Sequence, residues 1–173
     1  QPVPGVGGHC IAVDPWFIVH GDPENSRLIR TAREVNDAKT DYVIDRASKM
    51  IDEMPGATIA CLGLAFKPNI DDFRESPAVK VAAKLARRYG DRVRLVEPFA
   101  RELPMEFAGT QAKLIDLDTA IAECPIFVVL VDHDEFKSVP LDERSDKLVY
   151  DTRGIWPDQA HATPPAPKLR AVG

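Results

Sequence analysis

Apolar positions in the first third of the chain follow a helical period. Between residues 24 and 54 they recur three or four residues apart, which places them on one face of an α-helix: Leu28, Ala32, Val35, Val43, Ala47, Met50 and Met54. Asp22 or Asn25 is suitably placed to cap this helix, and Pro55-Gly56 to end it. The pattern predicts one long helix. Such a helix exceeds what a small domain needs, which indicates a domain connector or a subunit interface.

From residue 57 onward, continuous apolar runs alternate with amphipathic segments. Strands are predicted at residues 57–66, 92–96, 113–115, 125–131 and 148–151, with helices at 78–89 and 118–123. The run from Ile126 to Val131 is the most apolar and predicts an inner strand. Apolar strands separated by helices indicate a parallel sheet covered on both faces. The predicted fold class is therefore α/β, with a Rossmann-like sheet after a long helix.

These elements divide the chain into three predicted parts. Residues 1–55 hold a glycine- and proline-rich loop, with at most a short helical turn before residue 24, and then the long helix. Residues 56–157 form the α/β domain. Residues 158–173 contain Pro164, Pro165 and Pro167 and are predicted to be a disordered tail. Because the chain opens inside a motif that resembles an ordered loop, we expect it to be a fragment.

Composition narrows the class of protein. The chain has 22 basic and 27 acidic residues, a formal net charge of -5, which argues against a nucleic-acid-binding surface. No apolar run approaches the roughly 18 residues of a membrane span, and the start has no signal-peptide pattern. The three cysteines are an odd number and lie far apart, so we expect no disulfides and a reducing, cytoplasmic location.

The first candidate site is the segment around Cys10. Gly7 and Gly8 precede it, and glycines let a ligand approach the backbone closely. An exposed thiol is a nucleophile where its surroundings lower its pKa. Asp14 lies four residues on, so the two side chains share a face if this segment is helical. The alternative is an inert structural cysteine beside an ordinary helix cap.

A second candidate is the long polar loop at residues 67–77. It follows the first strand, at the edge where open α/β sheets bind ligands. Lys67 and Arg74 offer cationic donors to a diphosphate. The loop lacks the G-x-G-x-x-G fingerprint of dinucleotide sites. The alternative is a solvated loop in which Ser76 caps the next helix and Pro77 takes its first position.

Polar residues also follow three other predicted strands. Glu97 ends the second strand, where an acid can hold a ribose, although the missing glycines weaken that interpretation. Residues 132–135 read Asp-His-Asp-Glu. A metal site needs ligands from several elements, so we favour a polar loop and predict no metal. Arg153 follows the last strand at the ligand-binding edge, where an ordinary surface arginine is the default.

Together these segments resemble the UDP-glucose/GDP-mannose dehydrogenase family. Three separated motifs occur in the family's order, from the glycine-cysteine loop to Arg153. Gly-Gly-His-Cys-Ile-Ala-Val-Asp-Pro-Trp-Phe at residues 7–17 is similar to the family's active-site cysteine loop. The lysine that commonly precedes the aspartate is Val13 here, and His9, whose role stays open, precedes the cysteine. This variant is most similar to the branch that oxidises UDP-N-acetylmannosamine or a related UDP-N-acetylhexosamine.

The resemblance implies a reaction and residue roles. The sugar's C6 alcohol is oxidised to an aldehyde, Cys10 adds to it, and a second oxidation gives a thioester that water hydrolyses to the uronate, for surface polysaccharide biosynthesis. Two NAD molecules accept the hydrides. By the same resemblance Asp14 assists proton transfer and positions water. Lys67 and Arg153 contact the substrate together with the Gly7-Gly8 backbone, and Arg74 reaches the NAD side of the cleft.

The resemblance also sets expectations for the whole protein. The family binds NAD mainly through an N-terminal Rossmann domain that these residues do not include, so this chain alone is expected to be inactive. The long helix is similar to the family's connecting and dimerisation helix, which implies a homodimer. Two alternatives stay open. One is a nucleotide-binding module without chemistry; the other is a receiver-like signalling domain, which the basic loop at Lys67 disfavours.

Overall fold

The computed structural model describes residues 3–158, and residues 159–173 of the predicted tail lie outside that range. Two helices come first, α1 (His9–Gly21) and α2 (Arg27–Asp52). The rest of the chain alternates strands and helices: β1 (Ile59–Leu62), α3 (Pro77–Tyr89), β2 (Val93–Val96), β3 (Lys113–Leu114), α4 (Leu117–Glu123), β4 (Ile126–Val129), α5 (Asp134–Lys137), α6 (Leu141–Arg144) and β5 (Leu148–Asp151). Single 3-10 turns lie at Gly90–Arg92 and Met105–Phe107.

The five strands form one parallel sheet in the order β3-β2-β1-β4-β5. This confirms the predicted α/β class and parallel sheet. The order is that of a Rossmann-type sheet, in which successive strands are added first on one side of β1 and then on the other. A receiver-like sheet has the order 2-1-3-4-5, so the receiver alternative is wrong.

Both faces of the sheet are covered, and β1 shows how the sequence achieves this. Ile59 and Cys61 face the side on which α2 and α3 pack, whereas Ala60 and Leu62 face the side with α4 and Trp156. Alternate residues of a strand point to opposite faces, so the continuous apolar run fills both cores. The second half of α2 belongs to the first core, with Val43, Ala47 and Ile51 fully buried.

The predicted long helix is present, but its capping was predicted wrongly. The α2 helix has 26 residues, about 39 Å at the usual rise. The residue before it is Ser26, whose side chain makes no cap bond. Asp22 instead accepts hydrogen bonds from the backbone and side chain of Asn25. The acid therefore closes the turn between α1 and α2 rather than the helix start.

The largest difference from the sequence prediction is α1, a helix of 13 residues where a loop was expected. Pro15 lies inside it and has no N–H to give to the carbonyl of Ile11. Arg33, from α2, donates to that carbonyl oxygen over 3.4 Å. A distant cation thus satisfies the acceptor that the proline leaves without its helical partner.

Strands β1 and β4 are shorter than the predicted 57–66 and 125–131. After Leu62 the chain turns at Gly63, whose φ is +90°. The next two backbone N–H groups, of Leu64 and Ala65, donate to the Glu97 carboxylate and not to a strand. Among residues 3–158, no helix combines the length and apolar character needed to cross a membrane.

Candidate functional site

The glycine-rich segment before α1 is docked against the rest of the molecule. Val6 donates its N–H to Asn36 Oδ1 over 2.7 Å and accepts from Asn36 Nδ2 over 3.1 Å. A Cβ on Gly7 would lie 2.3 Å from the carbonyl oxygen of Glu75, and one on Gly8 would lie 3.0 Å from the Phe66 ring. The groups that come close to these glycines here are parts of the 67–77 loop and its flanks.

Cys10 lies in the first turn of α1 and is exposed. Asp14 follows one turn later on the same helix, so the structure meets the condition under which the two side chains share a face. The Cys10 Sγ is 3.9 Å from His9 Nδ1. Cys61 and Cys124, in contrast, are buried, which leaves Cys10 as the accessible thiol of the three.

Arg74 and Asp72 form an ion pair close to this thiol. Arg74 Nη2 lies 2.6 Å from Asp72 Oδ2. Its guanidinium hydrogen bond lowers the pKa of Asp72 to about 2, with a smaller contribution from the charge of His9. The pKa of Arg74 is raised, mainly by Asp72 and also by Cys10. The predicted catalytic cysteine and cofactor-side arginine are therefore electrostatic neighbours.

The loop that carries Lys67 is fixed on both sides of that residue. Before it, Leu64 and Ala65 donate their N–H groups to Glu97 Oε2 over 2.6 and 3.1 Å. After it, Asn69 donates its N–H to His133 Nδ1 over 2.9 Å. Lys67 itself is exposed, with Nζ 5.4 Å from the centre of the Phe66 ring. Its ammonium group is thus available to a ligand while its backbone is held.

The anchor of this loop is a buried acid paired with a buried histidine. His133 Nε2 lies 3.1 Å from Glu97 Oε2, and both side chains are fully shielded from solvent. Burial raises the pKa of the Glu97 carboxyl, but hydrogen bonds from His133, Leu64 and Phe99 outweigh it, and the pKa is lowered overall. Glu97 therefore acts as an ionised acceptor for backbone N–H groups, not as an exposed acid facing a ribose.

Arg153 is held at the end of β5 and points toward the end of β4. Its Nη2 lies 2.5 Å from Asp132 Oδ1. Asp151 accepts hydrogen bonds from the N–H groups of Arg153 and Gly154 over 2.8 and 2.7 Å. Thr152 is buried and donates its hydroxyl to the carbonyl of Val129. A short, well-anchored turn thus presents this guanidinium at the carboxyl edge of the sheet.

The structure brings the predicted residues into two groups. Lys67 and Arg153 lie at the carboxyl edge of the sheet, where Arg153 pairs with Asp132 and the loop that carries Lys67 is bonded through Asn69 to His133 and Asp134. Cys10, Asp14 and Arg74 lie where α1 meets the 67–77 loop. The predicted cap at α3 is confirmed, since Ser76 Oγ accepts from Val79 and Pro77 begins the helix. The roles of the two groups of candidate residues toward substrate and cofactor stay predictions.

Sequence reasoning missed the part played by residues 132–135, which it treated as a polar loop. His133 is fully buried, and its partners Glu97 and Asn69 are 36 and 64 residues away. The local pattern gave no sign of these partners; only the position directly after the most apolar strand hinted at burial. Within residues 3–158, no three His, Cys, Asp or Glu side chains converge to hold a metal ion.

Comparison with known proteins identifies the family. Residues 60–158 match the UDP-binding domain of the UDP-glucose/GDP-mannose dehydrogenase family. The chain belongs to this family. The matched range runs from the second residue of β1 past the end of β5, so it contains all but one residue of the sheet and both Lys67 and Arg153.

Relatives within the family include dehydrogenases of acetylated amino sugars. The chain is 51% identical over 164 residues to a UDP-N-acetyl-D-mannosamine dehydrogenase of Salmonella typhimurium. It is 49% identical to an NDP-N-acetyl-D-galactosaminuronic acid dehydrogenase of Ralstonia nicotianae. Each match covers 90% of this chain but only 39% and 36% of the relative. The chain therefore corresponds to well under half the length of the relatives it matches.

A solved structure agrees with the sequence comparison. The UDP-N-acetyl-mannosamine dehydrogenase of Staphylococcus aureus superposes with a TM-score of 0.70 at 34% identity, over 90% of this chain and 36% of that protein. The likeness extends beyond the 60–158 range, because nine tenths of the chain is more than that range contains.

Proposed function

We propose that this chain is the UDP-sugar-binding part of a nucleotide-sugar 6-dehydrogenase that oxidises UDP-N-acetylmannosamine, or a related UDP-N-acetylhexosamine, to the uronic acid. In this proposal residues 56–157 bind the UDP moiety, and residues 1–55 supply the active-site cysteine and the connecting helix. The product would serve surface polysaccharide synthesis in the cytoplasm. The names of the two relatives described above, both dehydrogenases of nucleotide-linked acetylated amino sugars, support the choice of sugar.

One observation supports this proposal above the others. An exposed cysteine follows two glycines that pack against the Lys67 loop and its flanks, and Lys67 and Arg153 sit on turns whose backbones are held by hydrogen bonds. Guanidinium and ammonium groups hold phosphate oxygens by charge-assisted hydrogen bonds. Lys67 and Arg153 would bind the diphosphate, while the backbone of Gly7 and Gly8 lines the approach to Cys10.

Cys10 is proposed to carry the covalent chemistry. After the C6 alcohol has become an aldehyde, the thiolate sulfur of Cys10 adds to the carbonyl carbon and forms a thiohemiacetal. Loss of hydride from that carbon leaves a thioester, and water releases the uronate and restores the thiol. Asp14, one turn along α1, would position that water and accept its proton. His9 Nδ1 lies 3.9 Å from the Cys10 sulfur, and Arg74 is its electrostatic neighbour from the 67–77 loop.

The cofactor in this proposal is NAD, which accepts one hydride in each oxidation. It is bound mainly by an N-terminal dinucleotide-binding domain outside these 173 residues, and this chain alone would not turn over substrate. Arg74 is the residue of this chain proposed to reach the cofactor. Its side chain is 68% exposed, which suits a group that contacts a cofactor bound across an open cleft.

Iodoacetamide labelling tests the role of Cys10 in the protein encoded by the complete reading frame. Because Cys61 and Cys124 are buried, a brief treatment is expected to alkylate Cys10 alone within this chain, which peptide mass spectrometry verifies. NADH formation from UDP-N-acetylmannosamine should fall in step with labelling. Cys10→Ala should reduce turnover by about a thousandfold or more. UDP added before the reagent should slow labelling if the nucleotide site adjoins the thiol.

The untreated enzyme should form two NADH per sugar consumed. Full activity after complete alkylation of Cys10, or in Cys10→Ala, would contradict the proposed chemistry. A nucleotide-binding module without catalysis would then be the better account, provided that UDP still binds.

A further inference from the structure

Residues 132–134, which Leu130 and Val131 separate from the end of β4, contact each of the elements that present a candidate substrate-binding cation. Asp132 pairs with Arg153 from the β5 end. His133 accepts the Asn69 N–H, two residues past Lys67. Asp134 and Asn69 exchange two more hydrogen bonds, Asn69 Nδ2 to Asp134 Oδ2 at 2.8 Å and Asp134 N to Asn69 Oδ1 at 3.1 Å. We call residues 132–134 the β4 corner.

Asn69 shows that these bonds hold a particular backbone shape. Its φ is +60°, in the left-handed region that few residues other than glycine adopt without support. Three hydrogen bonds to the β4 corner, one from its backbone and two through its side chain, provide that support. Together with the Phe66 N–H, which donates to the Asp72 carbonyl oxygen over 3.2 Å, these bonds hold the chain on both sides of Lys67.

The hydrogen bonds also define the protonation of the histidine. The Asn69 N–H donates to His133 Nδ1, so that nitrogen carries no proton. Nε2 then bears the ring proton and donates it to Glu97 Oε2, 3.1 Å away. The same Glu97 oxygen accepts from Leu64 and Ala65. One buried histidine therefore joins the two anchors on either side of Lys67.

We propose that His133 is a positioning residue for nucleotide binding: through Glu97 on one side and Asn69 on the other it holds the Lys67 loop in its binding shape. It touches neither substrate nor cofactor. This inference rests on the proposed UDP site, because the expected effect of a fixed Lys67 is a higher affinity for UDP. A donor that is already ordered in the free protein binds a ligand more tightly, because binding loses no free energy in ordering it.

We call the contacts of His133 with Asn69 and with Glu97 the clamp. Two conservative substitutions separate its two halves. Asn places its amide group where the Nδ1 edge lies, so His133→Asn keeps an acceptor for the Asn69 N–H. Gln reaches to the Nε2 position, so His133→Gln keeps a donor to Glu97 but leaves the Asn69 N–H without its partner. His20→Gln on α1, where the histidine is exposed, is the matched control.

The test titrates UDP into the 173-residue chain by calorimetry and follows amide hydrogen exchange at Asn69 by NMR. We expect His133→Gln to weaken UDP binding by about tenfold and to speed exchange at Asn69. His133→Asn should bind UDP within about threefold of the wild type, with Asn69 still protected. The ¹⁵N shifts of His133 in the wild type should report a neutral ring protonated at Nε2.

Three results would decide against parts of the account. Equal UDP affinity in wild type and both His133 variants would overturn the positioning role. Fast exchange at Asn69 in the wild type would overturn the clamp itself. No UDP binding by a wild-type chain whose Asn69 is protected would overturn the proposed nucleotide site while supporting the clamp. Thermal melts accompany each variant, and a loss of affinity at unchanged Tm separates positioning from general loss of structure.

Discussion

Single residues explain how a short glycine segment brings Cys10 to the sheet domain. Gly7 packs where a Cβ would come within 2.3 Å of the Glu75 carbonyl oxygen and 2.4 Å of Pro77 Cδ. These are backbone and ring atoms, which cannot turn aside as a flexible side chain can. The cysteine segment therefore keeps its place only if residue 7 has no side chain.

Gly7→Ala is expected to lower the free energy of unfolding by about 2 kcal/mol, because the added methyl group overpacks this contact. Urea unfolding monitored by circular dichroism measures the change. Gly21→Ala is the control, since a methyl group added there would have no atom within 4 Å. Gly21 is the last residue of α1, and alanine has a higher helix propensity than glycine. Equal stability of the two variants would show that the cysteine segment does not pack as described.

His133 shows the limit of sequence reasoning at the residue scale. The types and order of the candidate residues, from Cys10 to Arg153, were visible in the sequence because each lies in or beside a recognisable motif. The burial of His133 was not, since it depends on Glu97 and Asn69, which reach it only through the parallel pairing of β2, β1 and β4. A histidine between two aspartates is locally indistinguishable from a solvated turn.

Among the elements, the end of β2 controls where β1 stops. Glu97 takes the N–H groups of Leu64 and Ala65, so the apolar run continues beyond Leu62 without continuing the ladder. The sequence predicted every strand but for this reason placed the end of β1 too late. It missed most of α1 because that segment is rich in Gly and Pro, and because Arg33, the donor that compensates for Pro15, comes from α2.

Glu97→Gln is expected to lower the free energy of unfolding by about 2 kcal/mol at pH 7. The NH2 group of Gln would replace one carboxylate oxygen and leave backbone N–H groups without their acceptor. The pKa of Glu97 is lowered from its usual 4.5. A carboxylate with a lowered pKa stabilises the fold above the unfolded pKa, and that stability is lost as pH falls through the folded pKa.

The difference in stability between wild type and Glu97→Gln should accordingly be largest above pH 4.5 and shrink as the pH falls below it. Urea unfolding at a series of pH values measures this difference, and Glu135→Gln, whose side chain is exposed, serves as the control. A difference that grows on acidification would contradict the ionised, hydrogen-bonded state of Glu97.

At the scale of the whole molecule, the two halves of α2 have different surroundings. Its second half is buried against the sheet, whereas Leu28 and Val35 in its first half are 82% and 66% exposed. These two residues lie seven apart and share a face. Exposed apolar side chains in line on a helix are suited to a protein partner, and we propose that the partner is a second copy of the chain.

Replacing Leu28 and Val35 together by Glu is therefore expected to shift the protein encoded by the complete reading frame from dimer toward monomer. Light scattering after size-exclusion chromatography measures the mass. Met105→Glu, at a side chain that is 86% exposed but lies on a separate turn, should leave the mass unchanged. A dimer that survives both Glu substitutions would place the subunit interface elsewhere.

The architecture as a whole followed from the sequence, because apolar runs separated by helices allow few arrangements other than a covered parallel sheet. The strand order could not be predicted from the sequence, because apolar runs of similar composition do not show which strands pair with β1. That order removed the receiver alternative, and the match over residues 60–158 then gave the family.

The most direct test of the central claim, that the carboxyl edge of the sheet is a UDP site built on Lys67 and Arg153, is a calorimetric titration of this chain with UDP. The wild type and Lys49→Ala, an exposed lysine on α2, should bind UDP equally. Lys67→Ala and Arg153→Ala should each weaken binding about tenfold or more, because each removes a charge-assisted bond to the diphosphate. A wild type that does not bind UDP, or binding indifferent to both substitutions, would contradict it.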